Sequence, residues 1–259
     1  MIRYSSANAK TKELYFIPEL SQWFKDNTFK VYSFDLLSGH SCPFAKECHA
    51  KVVNGKVVDG KHTKFRCFSA SQEALFKHVY AIRNNNYESI KKLTTAKIFK
   101  LLSDNLPANA GVVRIHVSGD FYSQVYFDAW LRMAKMYPNV LFYAYTKSLK
   151  YWLNRMDSIP HNFVLTASYG GRLDNLISQE NLRHAVVVGF ATKQEAIDAG
   201  FPNMMTAEDY GYPVDHDDSH AAVPKWKDNS FALLVHGIQP AGSDYGKVWK
   251  INSGTYKRG

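Results

Sequence analysis

Apolar residues gather in short runs along this chain, and from about residue 112 onward the runs alternate with stretches of helical periodicity. Residues 112–117, 140–145, 163–167, 185–188 and 231–235 read as strands. The helices between them are 125–136 (closed by Pro138), 149–156, 174–182 and 193–199. An earlier run at 30–37, rich in β-branched and aromatic types, reads as a first buried strand. Two helical stretches, 71–84 and 87–106, fill the interval that follows. Six short strands alternating with helices predict an α/β fold with a parallel sheet and right-handed crossovers. Six suits a partial, open TIM-like (β/α) barrel better than a complete eight-fold one, and a doubly wound open sheet is the second possibility.

One interval breaks this rhythm. Ser38-Gly39-His40 ends the first strand, and Val52-Val53-Asn54-Gly55-Lys56-Val57-Val58 predicts a hairpin, because Asn-Gly supplies the two positive-φ residues of a tight turn. Residues 1–29 are mixed, with an amphipathic turn or helix around Trp23. Residues 210–228, carrying Asp215-His216-Asp217-Asp218-Ser219-His220, predict a long solvated loop, and the segment beyond Gly237 lacks helical periodicity. No repeat or linker interrupts the chain. It reads as one domain over 1–259: an N-terminal segment (1–29), a strand with a cysteine loop (30–70), a barrel (71–240) and a basic tail (241–259).

Of 259 residues 46% are apolar, 21% charged and 14% aromatic, which excludes disorder as the main state. No uncharged apolar run approaches the ~20 residues of a membrane helix. The N-terminus has no apolar run ending in a cleavage site, so the expected location is the cytoplasm, without membrane association. The net charge of +9 admits nucleic acid as a partner, and Lys247, Lys250, Lys257 and Arg258 make the tail basic.

The most informative asymmetry is in the cysteines. All three lie in the first quarter of the chain, spaced C-x5-C-x18-C at Cys42, Cys48 and Cys67, with the hairpin inserted before the third. An odd number argues against a disulfide framework. Three thiolates can hold three irons of a [4Fe–4S] cluster, whose fourth iron stays open or takes another ligand. They can also bind zinc with His49 or His40, although the usual C-x2–4-C pair is missing. Ordinary buried thiols are the plain alternative.

In a parallel β/α fold, functional groups gather at the C-terminal ends of the strands. The cysteine loop leaves that edge of the first strand. Later strands end in Ser118-Gly119-Asp120, in Lys147, in Ser168-Tyr169-Gly170-Gly171-Arg172 and in His236. Asp120, Lys147 and His236 are therefore placed on the open side of the cluster as candidate catalytic groups. There Lys147 would neutralise a small anionic or amino-acid-like ligand. Ser118 and Asp120 can instead cap the next helix. His116 can point inward as a metal ligand or pack in the core, and His236 can be a core histidine. The stripe Phe121, Tyr122, Tyr126, Phe127 and Trp130 reads as packing.

Several of these stretches together resemble the phage "gene product eighty-eight" family: Ser38-Gly39-His40-Ser41-Cys42-Pro43, Cys67-Phe68-Ser69-Ala70-Ser71-Gln72-Glu73, Ser118-Gly119-Asp120-Phe121, Phe142-Tyr143-Ala144-Tyr145-Thr146-Lys147-Ser148 and Leu234-Val235-His236-Gly237-Ile238-Gln239-Pro240. That resemblance implies a bacteriophage protein of the host cytoplasm. The organisation is also similar to the radical S-adenosylmethionine enzymes, which place a three-cysteine cluster loop after the first strand of a partial barrel. This similarity implies a ligand-binding role for Ser118, Gly119 and Asp120, and S-adenosylmethionine as a cofactor. The compact C-x3-C-x2-C of that superfamily is stretched here by the hairpin. The expected function is thus an iron–sulfur protein with a redox or radical-type role, or an electron carrier if His116, Asp120 or His236 caps the cluster. The expectation from a different class is a nucleic-acid-binding phage protein with a structural cluster or zinc site.

Overall fold

A computed structural model describes residues 1–25, 28–226, 229–240 and 242–255. The strands are β1 (Ser5–Ser6), β2 (Lys30–Phe34), β3 (Ala50–Val53), β4 (Lys56–Asp59), β5 (Ala110–Ile115), β6 (Leu141–Thr146), β7 (Phe163–Ser168), β8 (His184–Val188) and β9 (Phe231–Leu234). Seven of them form one sheet in the order β1-β2-β5-β6-β7-β8-β9, with β1 antiparallel to β2 and every later pairing parallel. The sheet is open, bounded by β1 and β9. Its order never reverses, so successive right-handed crossovers step the same way and stack their helices on one face. The doubly wound alternative needs a reversal to put helices on both faces, and the strand order contains none.

The helix-bearing face is closed by Val113, Ile115, Phe142, Ala144, Phe163 and Leu165 against Ile98, Tyr126, Trp130 and Ile177. The opposite face is covered by two irregular segments. Leu14, Leu20, Trp23 and Phe24 from the N-terminal part, and Ala221 to Val223, pack on Val112, Leu141, Tyr143, Val164 and Phe231. Period-2 alternation along each strand divides its residues between these two cores.

Four expectations need correction. The stretches 71–84 and 87–106 form three helices, Phe68–Leu75, Lys77–Ile90 and Thr95–Asp104. The chain turns extended at Phe76, where no Gly or Pro marks the break. The first strand stops at Phe34 rather than residue 37, because Asp35 turns its carboxylate to the amides that follow β5. The segment at 210–228 is not a solvated loop: Asp215 and Asp218 are buried and Ser219–Ala222 is helical. The tail is not irregular, since Asp244–Thr255 forms a helix with Val248 fully buried. Gly246 hides that helix in the sequence; its Cα passes so near the Pro240 carbonyl that a Cβ would lie 2.3 Å from that oxygen. Lys257 and Arg258 of the basic tail lie outside the described residues.

Candidate functional site

The cysteine loop begins at Ser38, beyond the end of β2. A buried glutamate fixes it: Glu73, on Phe68–Leu75, accepts from the Ser38 amide (3.0 Å), the Ser38 hydroxyl (2.7 Å) and the Ser118 hydroxyl (2.9 Å). Arg83 balances its charge at 3.2 Å, and both side chains are nearly inaccessible. Gly39 sits at φ +66° against the ribbon, where a Cβ would meet Ala50 O at 2.5 Å. Gly119, at φ +95°, lets the next strand end approach Ser41 and Leu36. The helix carrying Glu73 therefore ties together the ends of β2 and β5.

The far side of the loop is sewn to β7. Lys46 and Glu47 donate their amides to Gly170 O (3.2 and 2.8 Å), and Arg172 N donates to Phe44 O (2.8 Å). Between these anchors Asp120 joins β5 to β6. Its carboxylate accepts from the Phe121 amide (2.7 Å), the Thr146 hydroxyl (2.6 Å) and the Lys147 amide (2.9 Å). The adjoining helix is capped by Ser123, not by Ser118 or Asp120. Burial pushes the Asp120 carboxyl up, and those three donors with the Lys147 charge oppose it. The Lys147 ammonium is buried and donates to Ser168 O (3.1 Å), Ser168 Oγ (2.6 Å) and Tyr169 O (2.7 Å). It is a cation held by neutral oxygens, with Asp120 as its nearby counter-charge.

All three thiols are unpaired and half-buried. Burial raises the Cys42 thiol well above its ordinary value, and the negative charges of Asp120, Cys67 and Cys48 add to that. Burial and then Cys48 push Cys67 up to about 11, while the Ser69 and Ala70 amides at the start of its helix pull the other way. Charge on Cys48 thus opposes ionisation of both Cys42 and Cys67. The fourth wall comes from β9: His236 stacks on Phe68 with centroids 4.7 Å apart, and Gln239 exchanges hydrogen bonds with the Arg66 backbone (2.7 and 3.2 Å). Gly237, at φ +76°, allows this contact, since a Cβ would lie 2.8 Å from that of Phe68.

The Gene product 88 family profile matches residues 4–251. The chain belongs to the Gene product 88 family. It is similar to the Gene 88 protein of Mycobacterium phage D29, 28% identical over 118 residues, covering 42% of this chain and 43% of the relative. The Gene 88 protein of Mycobacterium phage L5 is 29% identical over 118 residues, covering 42% and 44%. The chain thus matches less than half the length of each of these curated relatives. No solved structure matches it.

In this Gene product 88 chain the remaining candidates separate. Ser118 is committed to Glu73 and Gly119 to the close approach of the loop, so both position the cysteines. His116 adopts φ +75° and turns to the helix-bearing side, with Nε2 2.9 Å from the Tyr126 hydroxyl and its ring packed against Phe121. Burial and the Arg114 charge depress it to about 3, and its Nδ1 is buried without a partner. It is a core histidine, and the expectation that it ligates metal is corrected. His40 bonds Val52 O (3.2 Å) on the ribbon. Among the described residues, no group of three or more His, Cys, Asp or Glu closes around a single ion.

Two features leave no mark in the sequence pattern. Glu73 and Arg83 meet across the helix break at Phe76, a spacing no helical periodicity produces. On the inner face, Asp218 (φ +63°) accepts from Arg114, from Lys10 (2.8 Å), and from the hydroxyls of Tyr143 (3.0 Å) and Tyr145 (3.3 Å). Those cations hold its carboxyl down near about 2 despite burial. Neighbouring Asp215 is pushed up to about 7 by burial and by Asp218, and its Oδ2 has no partner. Desolvation of its ring depresses His236, although the residue as a whole stays exposed, and its Nδ1 lies 3.3 Å from Leu234 O.

Proposed function

We propose that Cys42, Cys48 and Cys67 hold a [4Fe–4S] cluster at the C-terminal edge of a partial (β/α) barrel, giving this phage protein a redox or radical-type role in the host cytoplasm. The observation that carries the reading is the gathering of three unpaired thiols, from both sides of an inserted ribbon, where burial and neighbouring sulfur charge both oppose ionisation of Cys42 and Cys67. Such crowding is unfavourable for free thiolates and is relieved when a cationic centre takes them up, releasing their protons. A cube-shaped cluster presents its irons at separate corners, so its thiolates stand farther apart than the ligands of one ion. The commitment of His40 to the ribbon removes one of the two histidines that zinc could take. The buried Lys147 ammonium would offset negative charge on the open side beside Asp120, and His236, packed against Phe68, is the third candidate group there.

Metal and sulfide analysis with electron paramagnetic resonance on anaerobically purified protein tests this. Near four irons and four sulfides per chain are expected. A reduced signal altered by S-adenosylmethionine would place that ligand on an open iron, and an unaltered one would favour electron transfer. Stoichiometric zinc, or no metal, would overturn the proposal.

A further inference from the structure

The ribbon β3–β4 and its flanks carry a charge balance unlike the rest of the chain. Residues 46–66 contain six Lys or Arg (Lys46, Lys51, Lys56, Lys61, Lys64 and Arg66) against two acids, Glu47 and Asp59. Both acids are already neutralised, Glu47 by Lys64 (2.5 Å) and Asp59 by Arg66. Lys46, Lys51, Lys56 and Lys61 make no ion pair, side-chain hydrogen bond or ring contact among the described residues. Among the described residues the ribbon pairs with no other strand. Its inner residues Ala50 and Val52 are buried, while Val53, Lys56 and Val58 on the other side are exposed. At the tip, a Cβ on Gly55 would meet nothing within 4 Å, so the turn stands in open space. The base is rigid: Arg66 grips Asp59 through Nε (2.8 Å) and Nη2 (2.5 Å), and Gly60 N donates to His49 O (2.7 Å).

We infer that this ribbon is a docking surface for double-helical nucleic acid, held through its phosphates. A two-stranded antiparallel ribbon matches the width of a duplex major groove. Lysines on one outward face and at its ends act as point charges for the backbone, without the paired forks that would select a base. An acidic protein would meet the same charge, but it gives no reason for a projecting tip of that width. The inference is independent of the cluster, so iron content is measured on the same preparations, and loss of iron with retained binding would separate the two.

The test is a fluorescence-anisotropy titration of the full chain with a labelled duplex of about 20 base pairs at several salt concentrations. Binding that weakens steeply with salt is expected. The triple variant Lys51→Gln/Lys56→Gln/Lys61→Gln should flatten the log–log salt slope by about 2–3 and weaken low-salt binding by about tenfold or more. The control Lys97→Gln/Lys100→Gln/Lys135→Gln, on the helix layer, should leave both near wild type. Circular dichroism verifies folding, and the single tip variant Lys56→Gln, expected to lower the slope by about 1, serves if the triple unfolds. Absence of duplex binding, or equal loss in the ribbon and control variants, would overturn the inference. So would single-stranded oligonucleotide or polyglutamate competing as well as duplex at equal charge.

Discussion

Two regions of this molecule gather acidic groups out of water, and they do it in opposite ways. On the inner face Asp218 is surrounded by Arg114, Lys10 and two tyrosine hydroxyls, and its carboxyl ionises more easily than in water. At the rim, burial makes Cys42 and Cys67 ionise less easily than in water, and the negative charge of Asp120 beside Cys42 and of Cys48 beside Cys67 adds to it. The first cluster is electrostatically closed. The second has no comparable cation bonded to its sulfurs among the described residues, and the buried Lys147 ammonium bonds neutral oxygens of Ser168 and Tyr169. Burial alone does not tell a structural cluster from a receptive one; the sign of the residual field does.

The largest effects should come from breaking the closed cluster. Asp218→Asn leaves Arg114 buried without its charge, and a loss of about 3–5 kcal/mol is expected in urea unfolding. The double change Arg114→Met/Asp218→Leu should cost less than that single one, because no buried charge remains; a larger cost would show that the network holds the inner face in some other way. Next in size, Glu73→Gln removes the counter-charge of Arg83 and loosens both Ser38 and Ser118. It should destabilise by about 2–4 kcal/mol and lower metal retention, read by iron content after desalting. Full retention of iron would deny Glu73 its part in fixing the loop.

The pH profile sharpens the comparison within the inner face itself. The depressed Asp218 contributes stability above its unfolded value near 4, and this is lost as pH falls through about 2. Asp215 acts oppositely: its folded value, about 7, lies above its unfolded one, so stability declines as pH rises between about 4 and 7. Asp215→Asn should flatten that decline in thermal melts, and an unchanged slope would remove Asp215 from the account. The smallest effect concerns the open cluster. In metal-free protein at pH 8, Cys42 and Cys67 should alkylate more slowly than a cysteine in a short peptide, because little thiolate is present.

Much of the parallel sheet was legible because its strands are β-branched runs with clear breakers, and the cysteine loop was legible from its spacing. What escaped detection depends on contacts distant in sequence. The Asp215–His220 run has the composition of a solvated loop, and only Arg114, Tyr143 and Lys10 from other segments make Asp218 a buried residue. Glu73 owes its burial to Arg83, which meets it only after the helix break at Phe76. Gly246 concealed the last helix, although it is there for a close backbone approach rather than for flexibility. Strand alternation leaves His116 open as ligand or packing, and its left-handed backbone turns it to the core beside Tyr126 and Phe121.

The pair Lys10–Asp218 also sets an order of events during synthesis. Within the seven-stranded sheet each strand from β5 to β9 adds beside the sheet strand made before it, so the helix-bearing face can assemble as the chain emerges. Lys10, made among the first residues, has to wait for Asp218, a delay of roughly 10–40 s at ribosomal speeds of about 5–20 residues per second. Until then Tyr143 and Arg114 face a half-covered surface, and the nascent protein is exposed on one side alone.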